Sequence, residues 1–67
     1  MINLNQLRIF YYAAKNMSFT NAAKELFISQ PAVTSQVRQF EESCNLVLFK
    51  RKWRKVFLTD EGEILYD

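Results

Sequence analysis

Two adjacent alanines, Ala22 and Ala23, followed by the step Ser29-Gln30-Pro31, constrain this chain more than any other feature in it. Small side chains on a short helix let a second helix cross it closely. Ser29 is a good N-cap, and Pro31 falls in the next first turn, where its missing N–H costs nothing. Across Ala22–Val37, AAKELFISQPAVTSQV, the pattern predicts a short helix, a tight turn and a capped second helix: a helix-turn-helix. Ala23 belongs at the crossing, and Leu26, Ile28, Val33 and Val37 are expected to close the core beneath it. Phe27 takes a turn position where Gly is common, which predicts a wider turn and an extra packing contact.

The flanking segments supply the rest of a small core. A first helix is expected over Leu4–Asn16, with Asn3 as N-cap and Gln6 reaching back to it as in a capping box. Leu4, Leu7, Phe10, Tyr11 and Ala14 would line one face, and Asn16 suits a left-handed stop. The second helix is expected over Thr20–Phe27 with Ser18 or Thr20 as cap. The third is expected over Gln30–Ser43, with Val33, Val37 and Phe40 as its buried stripe and Asn45 as terminator.

Beyond Asn45 the rhythm becomes period two, at Leu46 and Leu48 and again at Val56 and Leu58. That predicts two short strands flanking a turn over Arg51–Lys55. Thr59 then caps a fourth helix, with Asp60 and Glu61 at its positive end. With 67 residues the chain is one domain, and a single Gly and a single Pro favour helices over a turn-rich β fold. The expected class is mainly α: a three-helix core, a two-stranded β-hairpin, and the start of a further helix.

Several functions are excluded by what is missing. Cys44 is the only cysteine and there is no histidine, so neither a disulfide scaffold nor a zinc finger fits, and Cys44 is expected to pack as a small hydrophobe. No nucleophile has a base at hand and no glycine-rich loop is present, so no catalytic and no metal residue is assigned and an enzyme is not expected. The longest apolar stretch, Ile9–Ala14, is too short for a bilayer, and the N-terminus lacks the form of a signal peptide. A reducing cytosol is the expected compartment.

The charge pattern points to a polyanion. Five of the nine basic residues fall in the hexamer Lys50–Lys55, KRKWRK, while six of the seven acids follow residue 40. At about 100° per residue, the buried stripe of the third helix turns Gln30, Pro31, Thr34, Ser35 and Arg38 outward. These side chains are polar or short, free of acids, and include donors suited to base edges in a major groove. The hairpin behind them reads as a wing, whose Arg51, Lys52, Arg54 and Lys55 would meet phosphates or a minor groove, with Trp53 folding back onto the domain. The alternative is a winged helix that docks on another protein, for which the outward row lacks apolar anchors.

The stretches SFTNAAKELFISQPAVTSQVRQFEE and LVLFKRKWRKVFLTDEG carry a resemblance over nearly the whole chain. They resemble the N-terminal DNA-binding domain of LysR-type transcriptional regulators. The resemblance implies a winged helix-turn-helix over residues 1–59, with the helix-turn-helix about 18–37 and the wing about 47–58, and the start of a linker helix at 60–67. It implies that Gln30, Pro31, Thr34, Ser35 and Arg38 read the major groove of double-stranded DNA, and that Arg51 and Arg54 are wing contacts. Met17 and Asn45 stand where the family often has Gly, and Phe40 where Leu is usual. Family members are several times longer, which makes this chain look like an excised or truncated domain. The implied effector-binding region would then be absent, and no cofactor is expected in this chain. A homodimer or tetramer is expected only of a full-length protein, a monomer or weak dimer of this fragment, with no membrane association and a place in the cytoplasm on the bacterial nucleoid.

Overall fold

In the computed structural model, which describes residues 3–52 and 55–67, the helices are α1 (Leu4–Asn16), α2 (Phe19–Leu26), α3 (Gln30–Cys44) and α4 (Asp60–Tyr66). Strands β1 (Phe49–Lys52) and β2 (Lys55–Leu58) lie between α3 and α4. Each helix start is closed by a side chain that accepts from an otherwise open amide. Asn3 accepts from the Asn5 and Gln6 amides, Ser18 from Asn21, Ser29 from Ala32 and Thr59 from Gly62. Three helices end on a left-handed residue: Met17 at φ 50°, Phe27 at 57° and Asn45 at 56°.

The core sits where α1, α2, α3 and the hairpin meet. Ala13, Ala14, Ala22 and Ala23 are all buried, so the helices approach with little side-chain bulk between them. Larger side chains fill the space around them: Phe10, Phe40, Leu48 and Val33 are the largest that are fully enclosed. The phenyl rings form a run from α3 to the wing, with Phe10 5.9 Å from Phe40 and 5.4 Å from Phe49, and Phe49 edge-on to Phe19 at 5.3 Å. The predicted class and the Val33-Val37-Phe40 stripe are both present.

Several local expectations need correction. Leu4 and Tyr11 are exposed, and the buried face of α1 is instead Gln6, Ile9, Phe10, Ala13 and Ala14. Gln6 does not reach back to Asn3; its amide turns inward to α3. Met17 rather than Asn16 makes the left-handed stop, while Asn16 donates to the Tyr12 carbonyl at 2.8 Å. Ile28 is exposed, and Phe27 makes no packing contact at 94% exposure. β1 begins at Phe49: the Leu48 amide is taken by Glu41 at 2.7 Å, and Leu48 is core rather than strand. Arg51, Lys52 and Lys55 lie inside the strands rather than in the predicted turn. Trp53 and Arg54 lie outside the described residues, and so does the expectation that Trp53 folds back.

Candidate nucleic-acid interface

The outward face of α3 follows from its inward one. Val33, Val37 and Phe40 are buried, which leaves Gln30, Pro31, Ser35 and Arg38 exposed and Thr34 half-buried. These five side chains line one groove of about 530 Å³, together with Gln39, Glu42 and Arg51. Arg51 comes from β1, so the helix row and one wing cation face the same space. Gln39 was not among the sequence-derived candidates, although it follows Ser35 by one helical turn and that spacing places it on the outward face.

Two features hold the wing against this face. Glu41 Oε2, near the end of α3, accepts from the Leu48 amide at 2.7 Å and the Phe49 amide at 3.1 Å. The hairpin pairs antiparallel as Phe49–Leu58, Lys50–Phe57, Arg51–Val56 and Lys52–Lys55. Side chains alternate between faces along a strand, so Arg51 shares a face with Phe49 and Val56. Buried Phe49 and Val56 turn that face to the core, and the Arg51 guanidinium lies 5.0 Å from the centre of the Phe19 ring. Lys50, Lys52, Lys55 and Phe57 share the opposite face. The described wing cations are thus divided between the two strand faces, which charge alone does not reveal.

Neither arginine of the groove is held in an ion pair among the described residues, although Glu42 lines the same groove. Among the described residues the ion pair is Lys15–Glu25 at 3.4 Å, between α1 and α2 and away from the groove. Arg8 and Lys15 lie over the Tyr12 ring at 5.5 and 5.2 Å, so the α1 cations have aromatic partners on their own helix. Arg38 and Arg51 have no carboxylate within ion-pair distance among the described residues. A groove lined by two arginines, two glutamine amides, two hydroxyls and the single carboxylate of Glu42 can neutralise phosphates through its arginines and hydrogen-bond base edges. A second cleft of about 320 Å³, lined by Ser18, Thr20, Gln30, Arg51 and Lys55 among others, continues it past the start of α2.

The chain matches known proteins over nearly its whole length. Residues 4–63 match the family model described as bacterial regulatory helix-turn-helix protein, lysR family. The chain is 48% identical over 60 residues to the glycine cleavage system transcriptional activator of Escherichia coli K12, a match covering 90% of this chain and 20% of that protein. It is 46% identical over 65 residues to the RuBisCO operon transcriptional regulator of Allochromatium vinosum, covering 97% of this chain and 22% of that one. The chain therefore spans about a fifth of the length of these curated relatives. Among solved structures it resembles the BenM DNA-binding domain bound to catB site 1 DNA, with TM-score 0.90 and 38% identity over 96% of this chain and 71% of that one. It also resembles the CbnR DNA-binding domain in complex with DNA, with TM-score 0.91 and 33% identity over 96% and 74%.

Proposed function

The chain belongs to the lysR family of bacterial regulatory helix-turn-helix proteins, a family of regulators rather than enzymes, and on that premise we propose that residues 1–59 bind double-stranded DNA sequence-specifically. In this reading Gln30, Pro31, Thr34, Ser35 and Arg38 enter the major groove. Arg51, Lys52, Arg54 and Lys55 of the wing meet phosphates and the flanking minor groove. Residues 60–67 begin a linker helix. The observation that carries the reading is Arg51, which lines one groove with all five outward residues of α3. The two relatives solved as DNA-binding domains with DNA support it, at 38% and 33% identity.

Phosphate neutralisation releases counterions, so affinity for a duplex should fall linearly with salt on logarithmic axes, with a slope near −0.9 for each phosphate engaged. Arg38→Ala is expected to weaken binding and to relax sequence preference, whereas Lys55→Ala should weaken all duplexes alike. Fluorescence anisotropy across a panel of duplexes and salt concentrations checks both. A salt-independent affinity contradicts the reading, and identical profiles for the two variants contradict the division between helix and wing. No helix among the described residues is long and apolar enough to cross a membrane. The cytoplasm fits a DNA-binding role, and assembly into homodimers or tetramers is a property we assign to longer family members. This chain is expected to sediment as a monomer or weak dimer.

A further inference from the structure

Arg51 is held differently from its neighbours in the wing. It shares a strand face with Phe49 and pairs with Val56, both buried, so its side chain leaves β1 on the face turned to the core. Its charge nonetheless stays at the surface, where Arg51 is exposed. Among the described residues it has no ion pair, and its guanidinium carbon lies 5.0 Å from the centre of the Phe19 ring. Among the described wing cations, Arg51 is the one with a ring beneath it.

That ring is itself fixed. Phe19 is the first residue of α2, whose start is closed by Ser18 accepting from the Asn21 amide at 3.0 Å. It is buried, with Phe49 perpendicular to it at 5.3 Å. The negative face of an aromatic ring attracts a cation. A guanidinium is flat, so it can rest one face on a ring and donate through its edge. A contact of this kind sets the place of the charge and leaves N–H donors for another partner.

The place is a junction. Arg51 borders the α3 groove beside Gln30, Ser35 and Arg38, and the cleft at the start of α2 beside Ser18, Thr20 and Lys55. A third cleft of about 300 Å³ has Arg51 in its wall together with Phe19, Thr34 and Arg38. An unrestrained arginine loses rotamer freedom when a duplex captures it, and one already resting on a ring has less to lose.

We propose that Phe19 is a positioning residue for duplex binding: its ring face holds the Arg51 guanidinium at the groove that α3 lines. The inference rests on the DNA-binding reading above and adds to it a buried residue that acts through Arg51.

Fluorine on the Phe19 ring tests this, because it drains negative charge from the ring face and changes the size of the ring little. The whole chain is made by chemical synthesis, joined at Cys44, with mono-, di- or trifluorophenylalanine at position 19. Each is paired with the same chain carrying Arg51→Ala. Fluorescence anisotropy against a mixed-sequence duplex at low salt reads affinity, and thermal unfolding reads the fold. Affinity is expected to fall with each fluorine, reaching about threefold for the trifluoro ring. The salt slope should stay as it is because every charge remains, whereas Arg51→Ala should shallow it by about one phosphate. In the Arg51→Ala chains the fluorine steps should vanish. A ring that only packs against Phe49 would move the unfolding temperature without that coupling to Arg51. The proposal is overturned if affinity ignores fluorine while Arg51→Ala weakens binding, since Arg51 then works unaided. It is also overturned if the fluorine steps persist undiminished with Arg51→Ala, or if Arg51→Ala leaves affinity unchanged. Should heavier fluorination unfold the chain, the monofluoro ring decides by the same criteria. A chain that binds no duplex overturns the DNA-binding reading and the proposal with it, an outcome distinct from binding that ignores fluorine.

Discussion

At the scale of single residues, the backbone makes demands that side-chain type does not announce. Phe27 holds φ 57° at 94% exposure, so its ring gains no burial to offset a conformation that costs an L-residue roughly 1–2 kcal/mol. Phe27→Gly is expected to raise stability by about 1 kcal/mol, read from urea unfolding, since the turn is kept and no packing is lost. Gly62 is the opposite case. A Cβ there would clash with the Leu48 carbonyl oxygen, a backbone atom already accepting from the Thr59 amide at 2.9 Å. Gly62→Ala should therefore destabilise by about 2 kcal/mol or more in the same measurement. Asn45 was legible in the sequence because Asn tolerates the left-handed region. Met17 and Phe27 carry no such mark as stops. Gln6 was readable only through its spacing with Ile9, Phe10 and Ala13, because a polar residue in that register reads more simply as a cap.

At the scale of elements, helices were legible because each carries its own start, a capping Asn, Ser or Thr. The bounds of α1 follow from Asn3 and from the apolar rhythm, and α3 starts where Ser29 and Pro31 require. The hairpin was legible in kind but not in extent. Leu46 and Leu48 continue the period-two pattern, yet Glu41 takes the Leu48 and Phe49 amides from seven and eight residues upstream. No local spacing encodes a carboxylate on another element. The same bonds make a prediction about the wing. Both amides converge on one oxygen, so Glu41→Gln can keep them through its amide oxygen and should behave nearly like the unaltered chain. Glu41→Ala should speed hydrogen exchange at Leu48 and Phe49, weaken duplex binding and shallow its salt slope by about one phosphate, with base preference retained. Equal exchange rates in Glu41→Ala would mean that Glu41 does not hold the wing.

At the scale of the molecule, charge and shape agree. Arg51, Lys55 and the outward row of α3 border adjoining grooves, while Asp60, Glu61 and Glu63 lie in the first turn of α4, where they favour its positive end. The apolar side chains left exposed on the helices at either end of the chain, Leu4 and Tyr11 on α1 and Ile64 and Tyr66 on α4, do not line the groove. Tyr11 and Tyr66 lie 5.5 Å apart and mark a separate face. The five α3 candidates could be read from the sequence because a buried stripe fixes its opposite face. The split of the wing between Arg51 and the lysines could not, because it depends on strand register. The most direct measurement is an NMR titration of the isotopically labelled chain with a short mixed-sequence duplex at low salt. The account predicts amide shifts concentrated at residues 30–39 and 50–55. Shifts concentrated instead around Leu4, Tyr11, Ile64 and Tyr66, with the α3 row unmoved, would contradict it.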